Sequence, residues 1–173
     1  MTKDYQGKNL TSKSLLLLKE ALFLANLVNA NVKPLARIEY PITEKLYALF
    51  EKMGLILDEI KQDVANGKIV HIIIISKHQD MIDKAKSIFN GKPLCLDVDT
   101  FWNWGKLLGI PECCIKFFID EETRHSPNNF LSREQALLFH WACPNCKDTK
   151  QLIPLYKKIW EETQEQFKTL KLY

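Results

Sequence analysis

Ile69-Val70-His71-Ile72-Ile73-Ile74-Ile75 is apolar at odd and even positions alike, and its β-branched residues favour extended backbone. A strand with that pattern is covered on both faces, as inner strands of an α/β sheet are. Ser76 and Gln79 follow with the spacing of a capping box, and Met81, Ile82, Ala85, Ile88 and Phe89 give the next segment an apolar stripe at helical period. Asn90-Gly91 stops that helix, and residues 93–98 read as a second short strand. The three pieces make a β-α-β unit, which predicts parallel strands joined by a right-handed crossover.

Upstream, a broad apolar face built on Leu17, Leu18, Ala21, Leu22, Leu24, Ala25 and Val28 predicts a largely buried helix from residue 11 or 12 to 29. Residues 36–40 form a short extended piece, a candidate third strand. Leu46, Leu49, Phe50, Met53, Leu57, Ile60 and Val64 recur every three or four residues, which predicts one amphipathic helix ended by Asn66-Gly67. Downstream the pattern is helical throughout. Asp99 or Thr100 caps a helix holding Phe101, Trp102 and Trp104; Gly109 closes it, and Pro111 takes the favoured first position of the next. Ser132 and Gln135 form another capping box before residues 136–141. A long terminal helix carries Leu152, Leu155, Tyr156, Ile159, Trp160, Thr163, Phe167 and Leu170. The expected architecture is therefore α/β, with α+β as the alternative: a small, mostly parallel sheet with a β-α-β unit, N-terminal helices and an all-helical, cysteine-containing C-terminal half. A chain of 173 residues fits one domain, with residues 12–98 as the α/β core and 99–173 as the helical half.

Composition excludes several classes. At 46% hydrophobic and 26% charged residues the chain has the balance of a folded globular protein and not of a disordered one. A net charge of +3 is too small to imply nucleic acid by itself. The lysines of the terminal segment (Lys147, Lys150, Lys157, Lys158, Lys168, Lys171) are interleaved with acidic residues, the mark of a solvated helix face. No stretch approaches the ~20 apolar residues of a spanning helix, so no membrane is expected and the expected location is the cytoplasm. In that reducing compartment clustered cysteines read as metal ligands or redox groups before disulfides.

Four of the five cysteines fall in the helical half. Cys113 and Cys114 follow Pro111, which puts both in the opening turn of a helix, where free backbone N–H groups and the helix dipole favour a thiolate. His140-Trp141-Ala142-Cys143-Pro144-Asn145-Cys146 holds a Cys-x-x-Cys pair, a turn that directs two sulfurs at one tetrahedral ion, with His140 three residues ahead. Adjacent side chains on a helix diverge by about 100°. That predicts that Cys113 and Cys114 do not both reach one ion, and it brings in His140 to complete a Cys₃His shell. The candidate metal ligands are Cys113, Cys114, His140, Cys143 and Cys146, with zinc first and an iron–sulfur cluster second; a redox dithiol and inert buried thiols are the competing readings.

The remaining candidates have plainer readings. Cys95 belongs to an apolar strand and reads as core. Trp102, Trp104, Phe117, Phe118 and Trp141 read as packing around the cysteine site. His71 reads as a buried histidine with a satisfied hydrogen bond. Ser76-Lys77-His78 stands where open α/β sheets bind ligands, but no glycine-rich fingerprint accompanies it. His125, beside Ser126-Pro127, is a loop residue and a candidate fourth ligand.

Leu108-Gly109-Ile110-Pro111-Glu112-Cys113-Cys114-Ile115-Lys116-Phe117-Phe118, followed by the histidine and cysteines of residues 140–146, resembles an uncharacterised, mainly archaeal family, domain of unknown function 483. Its mark is a Gly-Ile/Tyr-Pro-x-Cys-Cys-x-x-Phe motif with a later His-x-x-Cys and a further cysteine. The resemblance covers residues 105–150. It implies that Cys113, Cys114, His140 and Cys143 act as a unit, and it names no reaction. The function expected from sequence is a zinc-stabilised binding or structural domain. The alternatives are a thiol redox or metal-dependent enzyme using Cys113 and Cys114, and a nucleic-acid-binding accessory protein.

Overall fold

Four strands, β1 (Leu35–Ile38), β2 (Ile56–Val64), β3 (Lys68–Ser76) and β4 (Lys92–Pro93), form one sheet in the order β1-β3-β2-β4. The computed structural model describes residues 11–64, 67–93, 97–121, 135–140, 142–144 and 146–170. β3 is an inner strand, antiparallel to β1 from Leu35↔Ser76 to Ile38↔Ile73 and antiparallel to β2 from Ile56↔Ser76 to Val64↔Lys68. Its apolar double parity is explained by two helical layers. Ile73 and Ile75 pack with Ala36 and Ile38 against α1 (Ser12–Asn29) and α2 (Glu44–Lys52). Ile72 and Ile74 pack with Leu35 and Ile60 against α3 (Gln79–Phe89) and α4 (Val98–Leu107). Only the second half of β3 is enclosed in this way: Lys68, Ile69 and His71 are exposed. His71 is thus not a buried histidine; its Nδ1 meets the Glu59 carboxylate across the β2–β3 pair at the surface.

The sheet is mixed and mostly antiparallel, against the expectation of parallel strands. Only β2 and β4 are parallel, through Gln62↔Lys92 and Asp63↔Pro93. Because β2 lies between β3 and β4 and opposes β3, β4 runs opposite to β3 and the expected β-α-β unit is not formed. The difference originates one element earlier in the chain. The helix expected over residues 46–64 is a short helix, α2, followed by β2. Gly54, at φ +75°, ends α2: its amide donates to Glu51 O and that of Leu55 to Phe50 O, a Schellman closure. Beyond it Ile60 and Gln62 are buried while Glu59, Lys61 and Asp63 are exposed. Leu57, Ile60 and Val64 satisfy a helical spacing by coincidence, and the nine-residue pairing with β3 decides between the two periods.

Other boundaries differ for local reasons. α1 begins at Ser12, within the expected start at residue 11 or 12, and Thr11 caps it by accepting from the Ser14 amide. Ser76 is not part of a capping box; its hydroxyl donates to Pro34 O and accepts from the His78 amide, locking the end of β3 to the chain entering β1. β4 is described at Lys92–Pro93, residues 94–96 lie outside the described residues, and Val98, expected at the end of that strand, opens α4, whose cap Asp97 accepts from the Thr100 amide. Cys95, His125, Ser132 and Trp141 lie outside the described residues.

The helical half packs directly on the sheet-bearing half. Trp104 of α4 stacks on Phe89 of α3 at 4.0 Å between ring centroids. α6 (Lys147–Thr169) lies along α1, with Phe23 against Trp160 at 5.0 Å and Asn26 Nδ2 donating to Thr163 Oγ1 and Gln166 Oε1. Two features set the approach of α4 and α5 (Glu112–Glu121) to β1. A Cβ on Gly109, which sits at φ +69°, would stand 2.6 Å from Pro34 Cδ. The neighbouring Lys33, only 4% exposed, donates from Nζ to Leu108 O at 3.1 Å.

Gly109→Ala and Gly67→Ala share the same φ of +69°, but nothing lies within 4 Å of a Cβ on Gly67. Both are expected to lose roughly 1 kcal/mol from the left-handed backbone, with Gly109→Ala losing a further ~1–3 kcal/mol from overpacking against Pro34. Urea unfolding of the two variants measures the difference. Equal losses would show that the Pro34 contact does not constrain the turn.

Candidate metal centre

The turn between α4 and α5 places the first cysteine pair. Gly109 donates to Lys106 O and Ile110 to Gly105 O, a second Schellman closure, so the chain reverses at once into Pro111. The Pro111 carbonyl accepts from the amides of Cys114 and Ile115, which makes Pro111 the residue capping α5, one position before the expected one. Glu112 is exposed and bound to Lys106, whose hydrogen bond and charge hold the Glu112 carboxyl below the usual carboxylate range. The second pair comes from the entry to α6. Cys146 N donates to Cys143 O at 3.1 Å, closing a tight turn, and Cys146 caps α6 with its Sγ accepting from the Thr149 amide at 3.3 Å.

These two ends meet. The sulfurs of Cys113, Cys114, Cys143 and Cys146 all lie within 4.8 Å of one another. Cys113 Sγ is 4.0 Å from Cys114 Sγ and 3.5 Å from Cys146 Sγ, and Cys114 Sγ is 4.0 Å from Cys143 Sγ. The Cys143 amide also donates to Cys114 Sγ at 3.4 Å. The expected divergence of Cys113 and Cys114 does not occur. In an α-helix every Cα–Cβ bond leans toward the N-terminus. In an open first turn, two adjacent thiols can therefore both aim at a point beyond the helix end. Cys114 and Cys146 are buried, Cys143 is half-buried and Cys113 is exposed, so the cluster has one face toward solvent.

His140 is not part of this group. It is buried, with Nδ1 3.1 Å from Leu138 O and Nε2 3.3 Å from Thr149 Oγ1. A carbonyl only accepts, so Nδ1 carries the proton and Nε2 accepts from the Thr149 hydroxyl. Thr149 Oγ1 in turn lies 3.6 Å from Cys114 Sγ, which puts His140 one residue behind the sulfurs, orienting a group that touches them. Sequence reasoning missed Thr149, although its place three residues after a helix-capping Cys146 is a recognisable capping distance; Lys33 carried no sequence signal at all. The cluster packs against Ala142 and Ile110. Trp104, expected beside it, instead stacks in the core above the sheet, and Trp102 lies under the Lys106 ammonium.

The surroundings of Cys113, Cys114 and Cys146 act unequally on their thiols. Desolvation and the neighbouring Cys146 and Cys143 thiols push Cys113 up to about 11. Burial raises Cys114 further. Burial also acts upward on Cys146, but hydrogen bonds from Thr149, Cys114 and Cys113 outweigh it and bring that thiol down to about 7. One thiolate shared by neighbouring thiols is the arrangement a cation would complete by displacing the remaining protons. Four sulfurs around a zinc ion at about 2.3 Å sit about 3.8 Å apart, a spacing bracketed by the closest sulfur contacts here.

Among the described residues no helix is long and apolar enough to cross a membrane. The lysines of α6 are interleaved with acids, including Lys168–Glu165 and Lys158–Glu162 pairs. No family model, no curated protein and no solved structure matches the chain. The resemblance to domain of unknown function 483 rests on its motif residues alone.

Burial first, and then the Lys33 charge, pull His140 down from 6.5 to about 4, against the Leu138 carbonyl that favours the charged ring. The unfolded chain takes up this proton as pH falls below 6.5 and the folded chain only near 4, so the stability is present above 6.5 and lost on acidification. Between pH 6.5 and 5 wild type is expected to lose roughly 1.5 kcal/mol more than His140→Gln in urea unfolding. Parallel acid limbs would show that burial does not lower the His140 pKa in the folded protein.

Proposed function

We propose that Cys113, Cys114, Cys143 and Cys146 hold one tetrahedral metal ion, zinc, and that the protein is a metal-stabilised binding domain whose ion ties the start of α5 to the start of α6. The observation that supports this reading is the convergence of four sulfurs within 4.8 Å of one another from two segments about 30 residues apart. Four protein ligands fill a tetrahedral shell, the form of structural zinc sites, whereas catalytic sites keep a position for water. The ion would replace protons that the raised Cys113 and Cys114 thiols otherwise keep, and it would neutralise the sulfurs where Cys114 and Cys146 are buried. His140 and Thr149 then serve the site from behind by orienting Cys114 and Cys146. A reducing cytoplasm, which we take as the location, keeps such thiols available to the metal.

Protein made without a histidine tag is expected to carry about one zinc per chain by elemental analysis, as one four-ligand site requires. His140→Gln retains that zinc, and Cys146→Ser or Cys114→Ser loses most of it together with thermal stability. At pH 7.5 Cys113 and Cys114 are still protonated before loading, so calorimetry in buffers of different ionisation enthalpy should register at least two protons released per zinc. Absence of zinc and iron, with all four thiols reacting freely in the native state, would refute the metal reading. Zinc lost from His140→Gln but kept by Cys146→Ser would restore the histidine as a ligand.

A further inference from the structure

The four sulfurs are not equally placed. Cys113 is exposed, whereas Cys114 and Cys146 are buried and Cys143 is half-buried. A reagent arriving from solvent therefore meets Cys113 first. Its thiol donates to Cys146 Sγ at 3.5 Å, nearer than Cys114 Sγ at 4.0 Å. Cys146 Sγ also accepts from the Thr149 amide at 3.3 Å, so two donors converge on that sulfur and one of them is Cys113. Cys114 and Cys143 make a pair of their own: their sulfurs lie 4.0 Å apart, and the Cys143 amide donates to Cys114 Sγ.

Both pairs cross between the two segments. Cys113 stands in the first turn of α5 and Cys146 at the entry to α6, 33 residues further on. The chain neighbours Cys113 and Cys114 are poor disulfide partners. Cα atoms joined by a trans peptide stand about 3.8 Å apart, short of the ~4.4–6.8 Å that disulfides usually span. A bond made by Cys113 is therefore directed across the joint and not along the chain.

We infer that Cys113 and Cys146 form a peroxide-sensitive dithiol, through which a hydroperoxide converts the metal-held joint into a disulfide-held one. The release of the ion rests on the metal reading above, and the disulfide rests on the sulfur geometry alone. A Cys113 thiolate, the form a coordinated thiol takes, attacks the terminal oxygen of the hydroperoxide. An S–O bond forms, the O–O bond breaks, and the alcohol (water, when the oxidant is hydrogen peroxide) leaves with one proton. The Cys146 thiolate then attacks the Cys113 sulfur: the S–S bond forms, the S–O bond breaks, and hydroxide leaves with a second proton as water. The two sulfurs together give up two electrons and the peroxide takes up two. An ion left with Cys114 and Cys143 has lost half of its shell and dissociates. The start of α5 stays tied to the entry of α6, and a thiol reductant restores the dithiol.

The test adds hydrogen peroxide in stepwise equivalents to the full chain, with zinc content measured beforehand and zinc release followed by a chromogenic chelator. Free thiols are then alkylated, and disulfides are mapped by fragmenting the unreduced peptides. The first disulfide is expected between Cys113 and Cys146, with bound zinc released as it forms and taken up again after dithiothreitol. Cys113→Ser should slow the loss of the remaining thiols at least about tenfold. The wild-type map decides if that variant does not fold. A first disulfide between Cys143 and Cys146 or between Cys113 and Cys114, oxidation of Cys113 to sulfinic acid without a disulfide, or thiols left unchanged would each overturn the proposal. A Cys113–Cys146 disulfide in a chain that carries no zinc would overturn the metal reading and leave the dithiol standing. Zinc bound at the start, with no such disulfide formed, would do the reverse.

Discussion

Nine consecutive residues of β2 pair with nine of β3, and both helical layers are mounted on that ribbon. From Ile73 to Ser76 the backbone of β3 is paired on both sides, by β1 and β2, which leaves the side chains there as the groups that still need burial. Ile73 and Ile75 then require α1 and α2 on one face, and Ile72 and Ile74 require α3 and α4 on the other. Fully burying an isoleucine is worth about 1.5–3 kcal/mol, so this short segment carries a large share of the force that joins the layers.

The sulfur cluster inherits its position from that frame through one turn. α4 is seated on the sheet by Trp104 and Leu107, and it ends at Gly109, whose approach to Pro34 leaves no space for a side chain. A Cβ on Gly105 would likewise stand 2.6 Å from Ile115 Cδ1, so α5 lies close against α4. These constraints determine where the first turn of α5 opens. The other half of the cluster is carried by α6, which is anchored on α1 by Phe23 against Trp160 and by Asn26 with Thr163. The cysteines thus join two helices that are each held by opposite faces of the sheet. A cation at that joint would couple the two layers as well as two local turns.

The same arrangement explains why the polar residues near the site differ so much in their roles. Lys33, His140 and Thr149 are all buried, and each is hydrogen-bonded: Lys33 to Leu108 O, His140 to Leu138 O and Thr149, and Thr149 to the sulfurs. Buried polar groups with complete partners rigidify what they touch. Trp104 Nε1 and Tyr40 Oη are instead buried donors without partners among the described residues. The satisfied network supports the cysteines. Cys114 belongs to the sulfur cluster and also lines a cavity walled by Phe101, Trp104 and Phe118, so soft sulfur there borders aromatic rings.

α1, the long α6, the strand at β3 and the turn at Gly109 were legible in the sequence, because each is written in a local period or a residue with one favoured backbone role. The sequence also marked the four cysteines, since ligand-bearing residues in short spacings are chemically conspicuous. That residues 56–64 are a strand came from pairing with β3, because Leu57, Ile60 and Val64 fit two periods and the partner strand chooses between them. The antiparallel sheet followed from that choice, as the direction of β4 is set by β2 and not by β3. At the site, the spacing of Cys113 and Cys114 suggested divergence, and the tilt of side chains at an open helix end brought them together. His140 looked like a ligand from its distance along the chain. Its ring became a support for Thr149 because Leu138 O and the Thr149 hydroxyl, contacts invisible to spacing, hold both of its nitrogens.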